Sequence, residues 1–408
     1  MDWEAIGVVV LALKVLGDAF VTAFSTSAGI FSLLFAFAAI VSAARLARRR
    51  KAERVSLLPP VTLLKPLKGC DRELYENLRS FCVQDYPKFQ LLFTLATPDD
   101  PALPVLARLR QEFPELDIEI VVSKNRLGFN PKVNNVSNAA PFIKHGQILI
   151  SDSDIRVGPD FLRRIVAPME DAGVGLVTCF YQSTAPRGLW SAFEALSVNA
   201  QFLPQAVTAA SFGMRFAMGA AMLVRREAFE KAGGFPMMAD HLADDFILGE
   251  SVKAAGYKLE IASPVVQSVP DVASAADHLR HQARWARTIR ICNPAGYFGT
   301  VMLHGFSLLT LKALLFGVDP WTLGLMGAIV AAKALCEASI ARLLGAPQLG
   351  YSLLLLPFSE WLSFCAWISG FRSNEVLWRG ELYTIHAQGR LLHARSAVDV
   401  RGPVAAES

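Results

Sequence analysis

The sequence predicts an α/β domain with a parallel, doubly wound sheet, carried between apolar segments at both ends of the chain. Strand-like and helix-like patterns alternate between residues 55 and 145, which is typical of β-α-β units. Of the 408 residues, 53% are hydrophobic, and the apolar excess lies at the chain ends rather than in the charged middle. The length therefore leaves room for one large catalytic domain plus membrane segments.

The N-terminal segment, residues 1–54, is expected to be a membrane anchor. Residues 27–44 carry no charge and can span a bilayer with help from the preceding turn, whereas charges interrupt residues 6–24, which are expected to lie at the interface. Six arginines and lysines between positions 45 and 54 predict that this side faces the cytoplasm. A cleaved signal peptide would carry its positive charge before the apolar run, so this alternative is disfavoured.

Polar residues follow each strand of the predicted β-α-β-α-β unit. The expected strands are residues 61–64, 89–95 and 118–122, with helices at 74–83 and 102–113. The carboxyl ends of parallel strands border the crevice in which open α/β sheets bind ligands, so these loops predict a nucleotide site. The candidate substrate-binding residues are Lys65, Pro66, Asp99, Asp100, Lys132, Asn134 and Asp152.

Asp152 and Asp154 directly follow an apolar, strand-like run at residues 148–150. Two carboxylates so close together repel each other unless a positive charge lies between them. A hard divalent cation, Mn²⁺ or Mg²⁺, satisfies both and also takes phosphate oxygens. A solvated acidic turn is the alternative, but the neighbouring polar loops favour a metal–diphosphate site.

Residues 160–295 are less regular. Strands are expected at 174–180 and 258–262, and Asp244 and Asp245 begin a helix whose dipole favours acidic residues, which makes simple capping the alternative to a catalytic role. Residues 278–291 predict a basic amphipathic helix, for which a solvated helix face is the alternative to an arrangement on the membrane surface beside the active site. In this arrangement Arg287 and Arg290 face lipid headgroups, Trp285 and Ile289 dip below them, and Arg284 turns towards the diphosphate.

The chain becomes apolar again from residue 299. Residues 300–318, 321–340 and 351–370 are three candidate spans, and the charged residues within them predict that some are tilted, re-entrant or packed together. The expected division is a catalytic domain at 55–297, membrane helices at 298–370 and a basic, polar tail at 371–408.

Charge and cysteine content exclude several functional classes. The net charge of +4 comes from dispersed basic residues without a recognition motif, so no nucleic-acid partner is expected. The six cysteines lie far apart and form no C-x-x-C pair, which indicates neither a zinc site nor a disulfide framework. A reducing, cytosol-facing catalytic domain fits this pattern.

Seven motifs across roughly residues 55–295 resemble those of the ceramide glucosyltransferase family, which are membrane-anchored GT-A glycosyltransferases. In chain order they are LLKPLKG, DDPA, NPKVNN, SDSDIRV, AGGF, ADDF and RW. Bacterial hopanoid-associated glycosyltransferases are the closest competitor in the same group. The apolar segments at the two ends of the chain also resemble the membrane segments of this family.

The resemblance implies a role for individual residues. Asp99 or Asp100 would lie near the uracil and ribose, Asp152 would reach the metal and diphosphate, and Asp245 would be the catalytic base. Arg284 and Trp285 resemble the end of a Q/R-x-x-R-W motif, whose first position is His281 here. Gln282 and Arg280 are the alternatives for that first position.

The implied activity is inverting transfer of a sugar from a UDP-sugar to a lipid hydroxyl at the bilayer, with ceramide glucosylation as the leading expectation. A hopanoid-lipid glycosyltransferase with an N-acetylglucosamine donor and a processive polysaccharide synthase are the alternatives, and a non-catalytic GT-A scaffold is the least favoured. The expected location is a multi-pass protein of the bacterial inner membrane whose catalytic domain faces the cytoplasm.

Overall fold

The computed structural model describes residues 3–50, 57–184, 188–345, 352–378, 381–386 and 389–396. The strands are β1 Val61–Pro66, β2 Phe89–Leu95, β3 Asp117–Val122, β4 Gln147–Ser151, β5 Ile155–Arg156, β6 Val174–Ser183, β7 Ala221–Arg225, β8 Lys258–Ser268, β9 Glu375–Trp378, β10 Glu381–Ile385 and β11 Leu391–Ser396. The helices are α1 Trp3–Arg50, α2 Leu74–Cys82, α3 Leu103–Glu112, α4 Pro131–Ser137, α5 Phe161–Val166, α6 Leu189–Leu196, α7 Leu203–Ser211, α8 Arg226–Lys231, α9 Asp244–Ala254, α10 Ala275–Cys292, α11 Pro294–Gly299, α12 Gly305–Phe316, α13 Pro320–Leu344 and α14 Ser352–Ser369.

An eight-stranded sheet in the order β3-β2-β1-β4-β7-β6-β8-β5 forms the centre of the α/β domain. Its first four strands are parallel, and β7 runs antiparallel between β4 and β6. Strands β1, β2 and β4 are buried along their whole length, because helices cover both faces of a parallel sheet. This mostly parallel sheet confirms the predicted α/β fold class.

Two strands of the second half are longer than the sequence predicts. β6 continues to Ser183 and β8 to Ser268, although their apolar runs end near Phe180 and Ala262. The two strands pair in parallel across these extensions, with a register shift between Cys179 and Phe180. The extensions contain serine and glutamine, which weaken the apolar signal while the backbone pairing continues.

The N-terminal anchor is a single helix rather than an interfacial segment followed by a span. α1 is continuous over 48 residues. Within the described residues, Lys14–Arg48 of α1 and α13 are long and apolar enough to cross a membrane. The pair α11–α12 is long and apolar enough only if the two helices form one span with a 62° bend. The apolar part of α14 is shorter than a full membrane span. Of the three expected C-terminal spans, the middle one therefore meets the criteria by itself.

The segment after residue 371 contains a small sheet where the sequence analysis expects only a polar tail. Strands β9, β10 and β11 pair antiparallel in the order β11-β10-β9. Their apolar side chains, Val376, Tyr383, Ile385 and Leu391, pack with Leu242 of the α/β domain. Residues 397–408 lie outside the described part of the chain.

Gly305 allows α12 to approach α1 closely, which suggests a test of the membrane packing. A Cβ at this position would lie 2.6 Å from the Ala28 carbonyl oxygen and 2.7 Å from Gly29 Cα. We expect Gly305→Ala to lower the free energy of unfolding by about 1–3 kcal/mol, because backbone on both helices must shift. Thermal unfolding in detergent measures this loss.

Gly324→Ala in α13 is the matched control. No atom lies within 4 Å of a Cβ built at Gly324, and alanine is the better helix former, so this variant should be neutral or slightly stabilising. Equal losses in the two variants would contradict the close-packing argument.

Candidate active site

A crevice of about 570 Å³ opens where β1 and β4 end. Pro66, Lys132, Asp152 and Asp245 are among the residues that line it. A second hollow of about 230 Å³ adjoins it, and Trp378 belongs to the walls of both. The crevice lies at the carboxyl ends of parallel strands, as expected for a ligand site in an open α/β sheet.

Lys132 is the central cation of the crevice. The Asn130 side chain caps α4 by accepting hydrogen bonds from the Lys132 and Val133 amides at 2.9 and 3.1 Å. The Lys132 ammonium then lies 2.8 Å from Asp152 Oδ1 and 3.0 Å from Asp244 Oδ2. Burial works against this charge, but the attraction of the two carboxylates outweighs it and raises the pKa of Lys132.

The asparagines that follow Lys132 hold loops in place. Asn134 Oδ1 accepts hydrogen bonds from the Leu127 and Gly128 amides at 2.8 and 2.9 Å, and the side chain also lines the second hollow. Asn135 Nδ2 donates to the Leu67 carbonyl at 3.1 Å. The NPKVNN motif therefore combines a helix cap, a cation and two loop anchors, and its polar side chains are largely occupied by backbone partners.

Lys65 lies beneath the crevice, whereas its neighbour Pro66 lines it. The Lys65 ammonium is fully buried over the Phe81 ring, 3.5 Å from the ring centroid. It donates to Ser151 Oγ at 3.0 Å and to the Asp152 carbonyl at 2.8 Å. Burial lowers the pKa of Lys65 well below its ordinary value. Lys65 thus positions the end of β4 rather than presenting its charge to a ligand.

The structure distinguishes the two carboxylates that follow β2. Asp100 is buried, lines the second hollow and accepts hydrogen bonds from the Gly69 and Ala102 amides, each at 3.0 Å to Oδ1. Asp99 is exposed, and hydrogen bonding to Thr97 lowers its pKa. Asp100 therefore ties the loop after β1 to the start of α3, while Asp99 extends into solvent.

Asp152 and Asp154 are the residues that could hold a divalent cation. Both line the crevice, and Asp154 Oδ2 accepts a hydrogen bond from Ser268 Oγ at 2.8 Å. Burial and the neighbouring Asp152 carboxylate raise the pKa of Asp154, a repulsion that a cation would remove. No cluster of three or more metal-ligating side chains occurs among the described residues. Two carboxylates fit a Mg²⁺-type ion that completes its coordination with phosphate oxygens and water.

Asp245 lies in the first turn of α9 on the opposite wall. Its Oδ2 accepts a hydrogen bond from the Gly219 amide at 3.0 Å, and its Oδ1 accepts one from the Phe246 amide at 2.8 Å. Desolvation and the charge of Asp244 raise the pKa of Asp245 to about 6. A carboxylate with this pKa is well suited to accept a proton near neutral pH.

Helix α10 brings His281, Arg284 and Trp285 to the crevice. The His281 ring lies 5.0 Å from the Trp285 ring. Gln282 turns away and lines a different cavity, and Arg280 pairs with Asp277 on the exposed side. Of the three alternatives for the first motif position, His281 is the one that shares a wall with Arg284.

A buried glutamate anchors α10, and sequence reasoning missed it. Glu194 of α6 is 3% exposed and contacts His278 Nδ1 at 2.7 Å, Gln282 Nε2 at 3.1 Å and His281. Burial opposes its charge, but the histidines outweigh this effect and hold the pKa of Glu194 well below its ordinary value. Its only signal in the sequence is one acidic residue within an apolar helix.

The expected orientation of two arginines is wrong. Arg287 donates to the Glu375 carbonyl and Arg290 to Asn374 Oδ1, so both bind the segment that begins β9 instead of facing lipid headgroups. Trp378 at the end of β9 lines the crevice, and the Arg284 guanidinium lies over its ring, 5.8 Å from the centroid. Trp378 was missed because it lies in the segment expected to be a tail.

Residues 27–391 match glycosyl transferase family 21. The chain belongs to this family. Two similar relatives from Caenorhabditis elegans are ceramide glucosyltransferase 3, 30% identical over 239 residues, and ceramide glucosyltransferase 1, 29% identical over 224 residues. The match to ceramide glucosyltransferase 3 covers 58% of this chain and 52% of the relative's length. The match to ceramide glucosyltransferase 1 covers 54% of this chain and 48% of the relative's length. The chain thus spans about half the length of the curated relatives it matches.

A solved structure with a similar outline is the mannosyltransferase PcManGT from Pyrobaculum calidifontis in complex with GDP-Man and Mn²⁺. It is 19% identical, and the alignment covers 85% of this chain and 97% of that chain with a TM-score of 0.44. The assignment to family 21 therefore depends on the sequence match.

Proposed function

We propose that this family 21 protein transfers glucose from UDP-glucose to a ceramide hydroxyl at the membrane, with inversion at the sugar carbon. The observation that carries the proposal is the crevice that Asp152, Asp154 and Asp245 line together, in a chain that also has apolar helices long enough to span a membrane. The ceramide glucosyltransferase relatives support the choice of sugar and lipid.

Different residues of the crevice serve different steps of the transfer reaction. A divalent cation on Asp152 and Asp154 would act as a Lewis acid for the leaving diphosphate. Arg284 adds a fixed positive charge on the wall where the diphosphate would develop negative charge. Asp245 takes the proton of the acceptor hydroxyl as that oxygen attacks the sugar. A single base and a direct attack imply inversion.

The substrate assignment is tested with the purified full chain in detergent. Incubation with UDP-glucose, Mn²⁺ and ceramide should yield glucosylceramide, identified by mass spectrometry. A parallel incubation contains UDP-N-acetylglucosamine and a hydroxylated hopanoid. Product from the second mixture alone would contradict the ceramide assignment and favour the hopanoid alternative.

The cation site makes a mutational prediction. Asp152→Asn should lower transfer by on the order of 100-fold or more, because it removes a negative ligand and the partner of Lys132. Excess chelator should reduce wild-type transfer to a similar level, and added Mn²⁺ should restore it. Asp160→Asn, at an exposed carboxylate outside the crevice, is the control and should retain full transfer. Unchanged wild-type transfer in chelator would refute the cation.

The raised pKa of Asp245 predicts a pH dependence. A base must be deprotonated to act, so kcat/KM should be constant above the pKa of about 6 and fall tenfold per pH unit below it. Asp245→Asn should lower kcat by about 10²–10⁴-fold and abolish this step in the residual activity. An unaltered acid limb in the variant would show that another group is the base.

We also propose that the catalytic domain faces the cytoplasm, together with Arg45 and Arg48 at the end of α1. Asp160→Cys, in a variant whose six native cysteines are replaced, provides an exposed label site on this domain. In intact cells it should react with a membrane-permeant maleimide and remain unlabelled by an impermeant one. Efficient labelling by the impermeant reagent would reverse the orientation.

A further inference from the structure

We propose that a cavity between the membrane helices and α10 binds the polar core of the acceptor lipid, and that Lys333 and Glu360 recognise hydrogen-bonding groups of this core. The identity of the lipid as ceramide rests on the proposed function. The binding site itself is argued from the cavity and its side chains.

The cavity has a volume of about 160 Å³ and lies where several helices meet, among them α1, α10, α13 and α14. Ala36 of α1, Ala286 of α10, Lys333 of α13 and Trp367 of α14 each contribute to its wall. Two of these helices are the candidate membrane spans. A volume of this size is below that of sites which enclose a drug-sized ligand, so it suits a polar core whose chains continue between the helices into the bilayer.

An ion pair within this wall leaves one acceptor unused. Lys333 Nζ lies 2.6 Å from Glu360 Oε2 and donates to the Leu303 carbonyl at 3.2 Å. Glu360 is 1% exposed, and its Oε1 has no hydrogen-bond partner in the described part of the chain. An unsatisfied carboxylate oxygen is costly at this depth, and ionisable residues in membrane segments mark functional sites. An amide N–H or hydroxyl O–H of a lipid would satisfy it.

The cavity adjoins the catalytic crevice. Phe202, Trp285 and Ile289 line both spaces. The Trp285 ring packs edge-on against Phe202, with 6.1 Å between ring centroids. A lipid held at Glu360 can therefore extend its hydroxyl past Trp285 towards Asp245. This route avoids lifting the chains from the bilayer, which costs about 0.8 kcal/mol per CH₂.

The first test measures lipid binding without catalysis. A photoactivatable ceramide in phosphatidylcholine vesicles, with no nucleotide sugar present, should label the full-length protein on α13 or α14. The double variant Lys333→Met and Glu360→Met removes both charges together, so no buried charge is left unpaired. Its labelling should fall at least tenfold. In transfer assays its KM for ceramide should rise at least tenfold, whereas donor hydrolysis measured without ceramide should keep its rate and its KM for UDP-glucose within twofold of wild type.

A matched control separates recognition from loss of an ion pair. Lys312 and Asp319 form a second lysine–carboxylate pair beside the membrane helices, outside the cavity wall. The double variant Lys312→Met and Asp319→Asn should retain wild-type labelling and KM. Equal effects in the two double variants would overturn the proposal. The loss of any such lysine–carboxylate pair would then be enough to reduce labelling by ceramide and raise its KM.

A second variant tests the cavity without altering charge. Ala366→Phe places a ring in the cavity and should reduce labelling as the first double variant does, whereas Ala331→Phe, on an exposed position of α13, should not. Wild-type labelling in both Ala366→Phe and the Lys333/Glu360 variant would overturn the site. If labelling responds as expected but wild type transfers no glucose to ceramide, the proposed function fails and the lipid site stands.

Discussion

The contact of Lys132 with Asp152 and Asp244 joins the two halves of the crevice. Asp152 follows β4 in the parallel half of the sheet, and Asp244 begins α9 in the other half, yet one ammonium lies 2.8 and 3.0 Å from their oxygens. Without it the carboxylates would repel each other across the crevice, and α9 would carry Asp245 away with it. The Asn130 cap fixes the start of α4 and hence the lysine. A helix cap thus helps to position the cation that lies between these carboxylates.

Sequence reasoning predicts an element correctly where the residues of that element themselves mark its boundary. β1, β2 and β4 are buried on both faces, so each reads as a short apolar run with a polar loop directly after it. Asp152 and Asp154 could therefore be placed at the crevice before any tertiary information. The start of α9 at Asp244 and Asp245 was predicted because acidic residues favour the first turn of a helix, but this pattern alone also fits simple capping. The role of Asp245 at the site was inferred from the resemblance to the ceramide glucosyltransferase family.

The remaining features depend on contacts that are distant in the sequence. Glu194 meets its partners His278 and Gln282 across 84 and 88 residues, and no local period reveals a buried charge. The strands β9–β11 are short and partly polar, and their stability comes from packing on Leu242 and from the arginines of α10. The same arginines looked like a membrane-binding face because, in sequence alone, their partners could not be seen.

Helix α10 contributes adjacent faces to the cavity between the apolar helices and to the crevice. Gln282 and Ala286 line the cavity between the helices, whereas His281 and Arg284 line the crevice, as the helical period requires. Trp285 lies between these faces and belongs to both walls. A ring that borders two spaces cannot move for one ligand without changing the space for the other. Binding of lipid and of nucleotide sugar should therefore be coupled, and because coupling is reciprocal, each ligand should alter the affinity for the other by the same factor.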